Sequence, residues 1–239
     1  MIAADDNAQS MFVVPYLKDK VRTPVMFCAV NAAPEKYGYP ASHISGILER
    51  PHWAESLGLL RQLVPSVRTF GYIVRNNNTG KAYAELISNA QRSYPAKLSG
   101  FRLVNTVDEA TDAARELSSS CDTLYIAALR GLPDEKGNVP EEKGLIQMLA
   151  KTYGKPTFGD SPLYVRYGLL CAVGTTGQEQ GEVSAKMLLK AMKGTSVSEI
   201  PVTRNQNGSP ILNVAVIKKL GIRLPSTFLQ QMELVRTEK

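Results

Sequence analysis

The residues of this chain that are best suited to chemistry are polar side chains that follow apolar, strand-like runs. Asp160 could accept a ligand ammonium in a charge-assisted hydrogen bond, and Arg130 could hold a carboxylate with two parallel N–H donors. The amides of Asn76–Lys81, a segment that includes Thr79, could also hold a carboxylate, because the helix N-terminus that follows favours an anion. Each group has an ordinary alternative: a turn or N-cap aspartate, a surface arginine and a solvated turn.

Two more loops hold candidate ligand contacts. Asn31 follows the apolar run Val25–Val30, and Asp6 follows a short segment at the start of the chain that resembles the end of a strand. Tyr37 and Tyr39 lie in the loop after Asn31, where their rings could stack on an aromatic ligand or pack against the protein. These residue types suit hydrogen bonding to a small polar molecule.

The sequence contains no catalytic constellation. His43 and His52 do not stand beside a plausible serine or cysteine nucleophile, and no phosphate-binding, dinucleotide-binding or nucleophile-elbow motif is present. Cys28, Cys121 and Cys171 follow no metal or redox spacing, and we expect Cys28 and Cys171 to be buried thiols. We therefore predict no catalytic residue, no metal site and no cofactor.

Composition indicates an ordinary globular protein. The chain has 239 residues, 44% of them hydrophobic, which is enough for one large domain or two lobes. The net charge is +6, but lysines and arginines are scattered among acids, so we expect no nucleic-acid partner. The N-terminus has no basic start and no long apolar core, and so is not a secretory signal; the chain is a mature form, a cytoplasmic form or a fragment.

Strand-like and helical segments alternate along the chain, which predicts parallel βαβ units and an α/β fold. In such sheets ligands bind beyond the carboxyl ends of the strands, where the candidate residues above lie. The predicted strands are Val25–Val30, Ile44–Leu48, Thr69–Val74, Phe101–Asn105, Thr123–Ala128, Pro156–Gly159 and Gly168–Val173. The predicted helices are about Trp53–Leu63, Ala82–Arg92, Asp108–Leu117, Leu145–Thr152 and Gln178–Lys193.

The C-terminal segment Asn213–Leu229, NVAVIKKLGIRLPSTFL, is the most informative motif. Gly221 fits a helix C-cap, Pro225 blocks continuation, and Ser226 can cap a last amphipathic turn. The segment resembles the N-x-x-x-A/I-x-x-L-G-I/L-x-[IL]-P ending of ABC-transporter substrate-binding proteins with a type 1 periplasmic-binding fold. Other segments that are similar to the family are Glu55–Pro65, Phe70–Asn76, Cys121–Ile126, Lys155–Asp160, Gly168–Ala172 and Gly181–Gly194.

The resemblance implies two Rossmann-like lobes with parallel sheets, joined by three crossovers, with ligand held in the cleft between them. The N-terminal lobe would comprise residues 1–52 and 176–205, and the C-terminal lobe residues 53–175 and 206–239. It also implies that a set of loop residues faces the ligand. With Asp6 added, the predicted site is Asp6, Asn31, Asn76, Thr79, Arg130 and Asp160.

The chain departs from the family pattern in three places. The match begins late, so that the first lobe would be incomplete, and we expect either a truncated form or a homodimer that covers the exposed face. Asn31-Ala32 stands where members often carry an S/T-D pair, and Leu129-Arg130 replaces a similar acidic loop, lengthened by Pro133–Glu142. Loss of an acid and gain of an arginine favour an anionic ligand over a cationic one.

Three functional hypotheses follow. The first is a non-enzymatic, extracytoplasmic solute-binding protein that delivers a small polar molecule, such as an amino acid, to an ABC permease. The second is a ligand-sensing regulatory domain of the same fold, although no DNA-binding or signalling helix is evident. The third is an enzyme on the same fold, which the missing base–nucleophile pair disfavours.

Overall fold

The computed structural model describes residues 1–224, 228 and 232–238. Pro225 and Ser226, where the sequence predicts a helix stop and a cap, lie outside the described residues, as does most of the turn predicted after them. The chain divides into two compact units. The first unit comprises residues 1–50 and 175–207, and the second comprises residues 51–174 and 208–239.

Strands and helices alternate as predicted, and the α/β fold with mainly parallel sheets is confirmed. The strands are β1 (Ile2–Ala4), β2 (Val25–Val30), β3 (Ile44–Leu48), β4 (Thr69–Arg75), β5 (Lys97–Val104), β6 (Thr123–Ile126), β7 (Thr157–Gly159), β8 (Cys171–Gly174), β9 (Thr203–Arg204), β10 (Ser209–Asn213) and β11 (Glu233–Val235). The α-helices are α1 (Asp5–Ala8), α2 (Trp53–Leu63), α3 (Asn78–Asn89), α4 (Val107–Ser120), α5 (Glu142–Tyr153), α6 (Pro162–Tyr167), α7 (Gly177–Met192) and α8 (Val214–Lys219).

The first unit is built on a parallel sheet in the order β1-β2-β3-β9. Strand β2 reads VMFCAV and is buried along nearly its whole length, as expected of a central parallel strand. Met26 of β2 packs in an apolar cluster with Met187 of α7 and with Val197 and Ile200. Because β1, β2 and β3 are parallel neighbours, their carboxyl ends lie side by side, and the loops that follow them meet at one edge of the sheet.

The second unit has a seven-stranded sheet in the order β11-β10-β8-β7-β6-β4-β5. Alternate side chains of β4 lie on opposite faces of the sheet. Tyr72 and Val74 pack with α2 and α3, whereas Ile73 packs with α4 and α5. Strand β10 runs antiparallel to β8, unlike the βαβ pattern predicted, because it follows a return of the chain from the first unit rather than a crossover helix.

Several boundaries differ from prediction. Helix α3 begins at Asn78 rather than near Ala82, because the side chain of Asn77 accepts a hydrogen bond from the Gly80 N–H and caps the helix. Strand β8 begins at Cys171 rather than Gly168. A π-helix over Gln9–Leu17 was not predicted from the sequence. Among the described residues, no helix is long and apolar enough to cross a membrane.

The close contact of β3 with β2 gives a test of the packing in the first unit. A Cβ added to Gly46 would lie 2.2 Å from the carbonyl oxygen of Phe27 and 2.6 Å from its ring. Because backbone cannot yield as a flexible side chain does, Gly46→Ala should lower the free energy of unfolding by roughly 2 kcal/mol or more. The change is measured by urea unfolding followed by circular dichroism.

Gly181→Ala is the matched control in the same unit. Gly181 lies inside α7, and a Cβ there would meet nothing within 4 Å. This variant should gain about 0.5–1 kcal/mol of stability, because alanine favours a helix interior over glycine. Equal effects of the two substitutions would contradict the packing described for β2 and β3.

Candidate functional site

Three polar residues follow three neighbouring strands of the first unit. Asp6 comes just after β1, Asn31 just after β2 and Glu49 just after β3. Parallel strands bring these positions to one edge of the sheet. The backbone N–H of Asn31 donates to Asp6 Oδ2 at 2.9 Å, and Asn31 Nδ2 donates to Glu49 Oε2 at 3.4 Å. The structure thus joins two predicted site residues and adds a third that the sequence analysis did not select.

Asp6 holds the loop that follows β2. Asp6 is 4% exposed, and its carboxylate accepts hydrogen bonds from the N–H groups of Asn31 and Ala32 and from the Tyr37 hydroxyl, at 2.9, 3.1 and 2.7 Å. Burial, reinforced by the hydrogen bond to Asp6 and its charge, raises the pKa of Tyr37 above its ordinary value. These three donors make Asp6 a residue that positions the loop.

Arg50 holds the same loop through its carbonyl groups. The guanidinium donates to the backbone oxygens of Asn31 at 2.9 Å, Val30 at 3.2 Å, Ala32 at 3.4 Å and Glu49 at 2.7 Å. Burial lowers the pKa of Arg50, and the negative charge of Asp6 acts in the opposite direction. The backbone of residues 30–32 is therefore fixed on both sides, its N–H groups by an anion and its carbonyls by a cation.

The Asn31 side chain is held in place but is not fully paired. Asn31 is 6% exposed, and no donor within the described part of the chain reaches its buried Oδ1 atom. Buried side-chain acceptors in folded proteins nearly always have a partner, because an unpaired one costs roughly 1–3 kcal/mol. An acceptor kept unpaired on a rigid loop at a sheet edge is a candidate ligand contact.

The second unit has its own buried polar group at the carboxyl ends of β6 and β7. Asp160 is 7% exposed and accepts a 2.7 Å hydrogen bond from the hydroxyl of Tyr125. Burial first, and then the charge of Asp160, holds the pKa of Tyr125 well above its ordinary value. The Trp53 ring meets Tyr125 and Tyr83 edge-on, with centroid distances of 6.0 and 5.2 Å. An acid lies here within an aromatic cluster.

The other predicted contacts follow β4 and β6, which are neighbours in the same sheet. Asn76 is exposed and donates through Nδ2 to Asn105 Oδ1 at 3.0 Å. Thr79 is half-buried in the first turn of α3. Arg130 is exposed, and its carbonyl oxygen accepts a hydrogen bond from Arg75 Nη1 at 2.9 Å. These side chains remain predicted ligand contacts.

Two alanines at strand ends have backbone conformations that are costly for residues with a side chain. Ala29 and Ala128 both have φ of +53°, in the left-handed region. Such strain costs of order 1–3 kcal/mol and is concentrated at functional sites. Ala29 lies two residues before Asn31 and Ala128 two residues before Arg130, so both strained positions stand next to predicted contacts.

The tyrosines after Asn31 pack within the protein. Tyr37 and Tyr39 are 5% and 4% exposed, and Tyr39 stacks on Phe27 with centroids 5.3 Å apart. Both tyrosines therefore pack against the protein, and they do not present free ring faces for stacking on a ligand. His43 is also buried, with Nε2 3.2 Å from the Leu17 carbonyl oxygen. No group of three or more metal-ligating side chains occurs in the part of the chain described.

Sequence reasoning did not select Glu49, Arg50 or Tyr125. Glu49 and Arg50 directly follow the predicted strand Ile44–Leu48, so the rule that ligands bind at carboxyl ends would have selected them if it had been applied to every strand. Tyr125 lies inside an apolar strand and carries no comparable signal.

Comparisons with known proteins agree with the fold described above. The model of a family described as ABC transporter substrate binding protein matches residues 12–235. A tyrosine-binding protein from Clostridioides difficile (strain R20291) is 22% identical over 214 residues, which are 88% of this chain. The chain spans 58% of the length of that relative.

Two solved structures share the fold. An ABC domain from Streptococcus pneumonia in complex with L-Trp has a TM-score of 0.74 at 17% identity, over 98% of this chain and 78% of that one. A ligand-free, open substrate-binding protein with adhesive properties from Clostridium difficile has a TM-score of 0.70 at 20% identity, over 99% and 78%.

The loop-holding role of Asp6 predicts a large loss of stability for Asp6→Asn. The variant keeps the shape of the side chain but replaces the charged carboxylate, which accepts three hydrogen bonds, with a neutral amide. We expect the free energy of unfolding to fall by roughly 1.5–3 kcal/mol. Asp5→Asn is the control, since Asp5 is exposed and asparagine tolerates its φ of +78°. Equal urea midpoints for the two variants would contradict the loop-holding role of Asp6.

The buried Tyr125 hydroxyl predicts a loss of stability in alkali. Below about pH 10 this tyrosine is neutral in both folded and unfolded chains, so its contribution is constant. Above that pH the unfolded chain releases the proton while the folded chain retains it, so stability falls as pH rises. Tyr125→Phe should show a shallower decline of unfolding free energy between pH 9 and 11 than wild type. Tyr16→Phe, at an exposed position, should follow wild type; identical slopes for all three would contradict the prediction.

Proposed function

Because the chain belongs to the family of ABC transporter substrate-binding proteins, we propose that it binds a small polar solute and presents it to an ABC permease. The proposed solute is an amino acid. The protein acts outside the cytoplasm, as the family does, and its work is binding without turnover. Two observations on relatives support the choice of solute: one is a tyrosine-binding protein, and another was crystallised with L-Trp.

The observation that carries the proposal is the buried, unpaired Oδ1 of Asn31 on a loop held by Asp6 and Arg50. Affinity for a small ligand depends on groups that are already in place, because ordering them during binding would consume part of the interaction energy. The loop after β2 meets this requirement. A ligand donor that reached Asn31 Oδ1 would also remove the cost of the unpaired acceptor.

The second unit supplies the other proposed contacts. Asp160 lies at the carboxyl end of β7 and accepts a hydrogen bond from Tyr125, which packs with Trp53 and Tyr83 in the core and so positions the acid. Arg130 supplies a guanidinium for a ligand carboxylate, and Asn76 and Thr79 supply neutral hydrogen-bonding groups. We propose these residues, together with Asn31 and Asp160, as ligand contacts, with Asp6 acting through the loop.

The experiment is a thermal-shift screen of the standard L-amino acids, followed by calorimetric titration of each hit. A ligand that binds only the folded chain raises the melting temperature as its concentration increases, by the equivalent of about 2.7 kcal/mol at a hundred times its Kd. We expect L-tryptophan or L-tyrosine to produce this rise. Melting temperatures that do not change with any amino acid would reject an amino acid as the solute.

Substitution of Asn31 tests the observation behind the proposal. Asn31→Ala should fold and should weaken binding of the hit by about tenfold or more, because it removes an acceptor that the ligand pairs. Asn7→Ala is the control, since Asn7 is an exposed asparagine in the same unit. Equal affinities for wild type and both variants would mean that Asn31 does not contact the ligand.

A further inference from the structure

Glu49 is an acid whose side chain contacts the Asn31 side chain. It follows β3, it is half-buried, and its two carboxylate oxygens each accept one hydrogen bond from a neutral donor. Asn31 Nδ2 donates to Oε2 at 3.4 Å, and the Thr175 hydroxyl donates to Oε1 at 3.1 Å. These contacts fix the carboxylate without neutralising it.

No lysine or arginine forms an ion pair with the Glu49 carboxylate within the described residues. The charges of Arg50 and Glu49 interact, but the Arg50 guanidinium donates to backbone oxygens, including the carbonyl of Glu49, and not to the Glu49 carboxylate. A partly buried carboxylate is usually paired, because removing a charge from water without a partner is costly. Glu49 thus retains the capacity to bind a cation.

The unpaired oxygen of Asn31 belongs to the amide group whose nitrogen contacts Glu49. The opposite orientation of the amide would direct its oxygen at the carboxylate, where two acceptors would repel, so the N–H donates as described. The same amide group consequently carries an uncharged, unpaired acceptor and contacts a charged acceptor through its nitrogen. Such a pair selects a group with several N–H donors and a positive charge.

We propose that Glu49 and Asn31 form the ammonium-binding part of the ligand site, with Glu49 accepting one N–H and Asn31 Oδ1 another. A primary ammonium carries three donors and no acceptor, which matches this arrangement. A divalent metal ion fits less well, since it prefers several oxygen ligands and the other nearby carboxylate, Asp6, is occupied by three donors. The inference rests on the proposed amino-acid function and places the ammonium at Glu49 instead of Asp160.

The assignment also alters the expectation for ligand charge. The sequence suggested that an acid was lost where Asn31-Ala32 replaces the S/T-D pair of the family. In the structure, Glu49 from the next strand supplies a carboxylate in contact with Asn31. An amino acid with its positive charge in the first unit is consistent with this arrangement.

Paired ligands test the proposal. The probes are L-tryptophan and L-tyrosine, each with the analogue that lacks the amino group, indole-3-propionate and 3-(4-hydroxyphenyl)propionate. Glu49→Gln keeps an oxygen to accept from Thr175 or Asn31 but removes the charge. We expect calorimetric titration to show that it weakens binding of the amino acid by about tenfold or more and changes binding of the analogue by less than about twofold.

Glu35→Gln is the matched control, since Glu35 is an exposed acid in the same unit and loses the same charge. It should bind both members of each pair as wild type does. Far-UV circular dichroism and melting temperature establish that all variants are folded.

Two failures are distinguishable. Wild-type protein that binds none of the standard L-amino acids overturns the proposed amino-acid function, and the ammonium assignment with it. Wild-type protein that binds an amino acid while Glu49→Gln binds it equally well overturns only the assignment to Glu49, as does equal weakening of the amino acid and its analogue.

Discussion

The candidate site depends on the way in which a buried carboxylate, Asp6, and a half-buried guanidinium, Arg50, hold one short loop. Asp6 accepts from the N–H groups of Asn31 and Ala32, and Arg50 donates to the carbonyls of residues 30–32. Each charge is compensated mainly by backbone dipoles, so neither is left uncompensated in the interior. The loop after β2 is therefore hydrogen-bonded on both sides, which favours one orientation of the Asn31 side chain.

The parallel sheet makes this arrangement possible. Asp6, Asn31 and Glu49 are far apart in sequence but follow three adjacent strands, whose order brings the three side chains to one edge. Gly46 permits the close contact between β2 and β3 on which that order depends, since any side chain there would strike Phe27. Packing in the core and hydrogen bonding at the edge are therefore linked in the first unit.

The sequence predicted the fold, whereas the hydrogen bonds of the candidate site are visible only in the structure. Continuous apolar runs such as Val25–Val30 indicated buried parallel strands, and the helix Trp53–Leu63 begins and ends as predicted. The antiparallel β10 could not be read from periodicity, because strand direction depends on the path of the chain between units. Glu49 was missed although it follows a predicted strand, since nothing in its local sequence shows that its carboxylate lacks a cationic partner.

Asn31 and Glu49 are proposed to form together a preorganised contact for an amino acid. The most direct measurement is a crystal structure of the protein grown with L-tryptophan or L-tyrosine. This arrangement places the ligand ammonium at about 2.7–3.2 Å from both Asn31 Oδ1 and a Glu49 carboxylate oxygen. A bound amino acid whose ammonium lies elsewhere, with Asn31 Oδ1 paired to a protein donor, would contradict it.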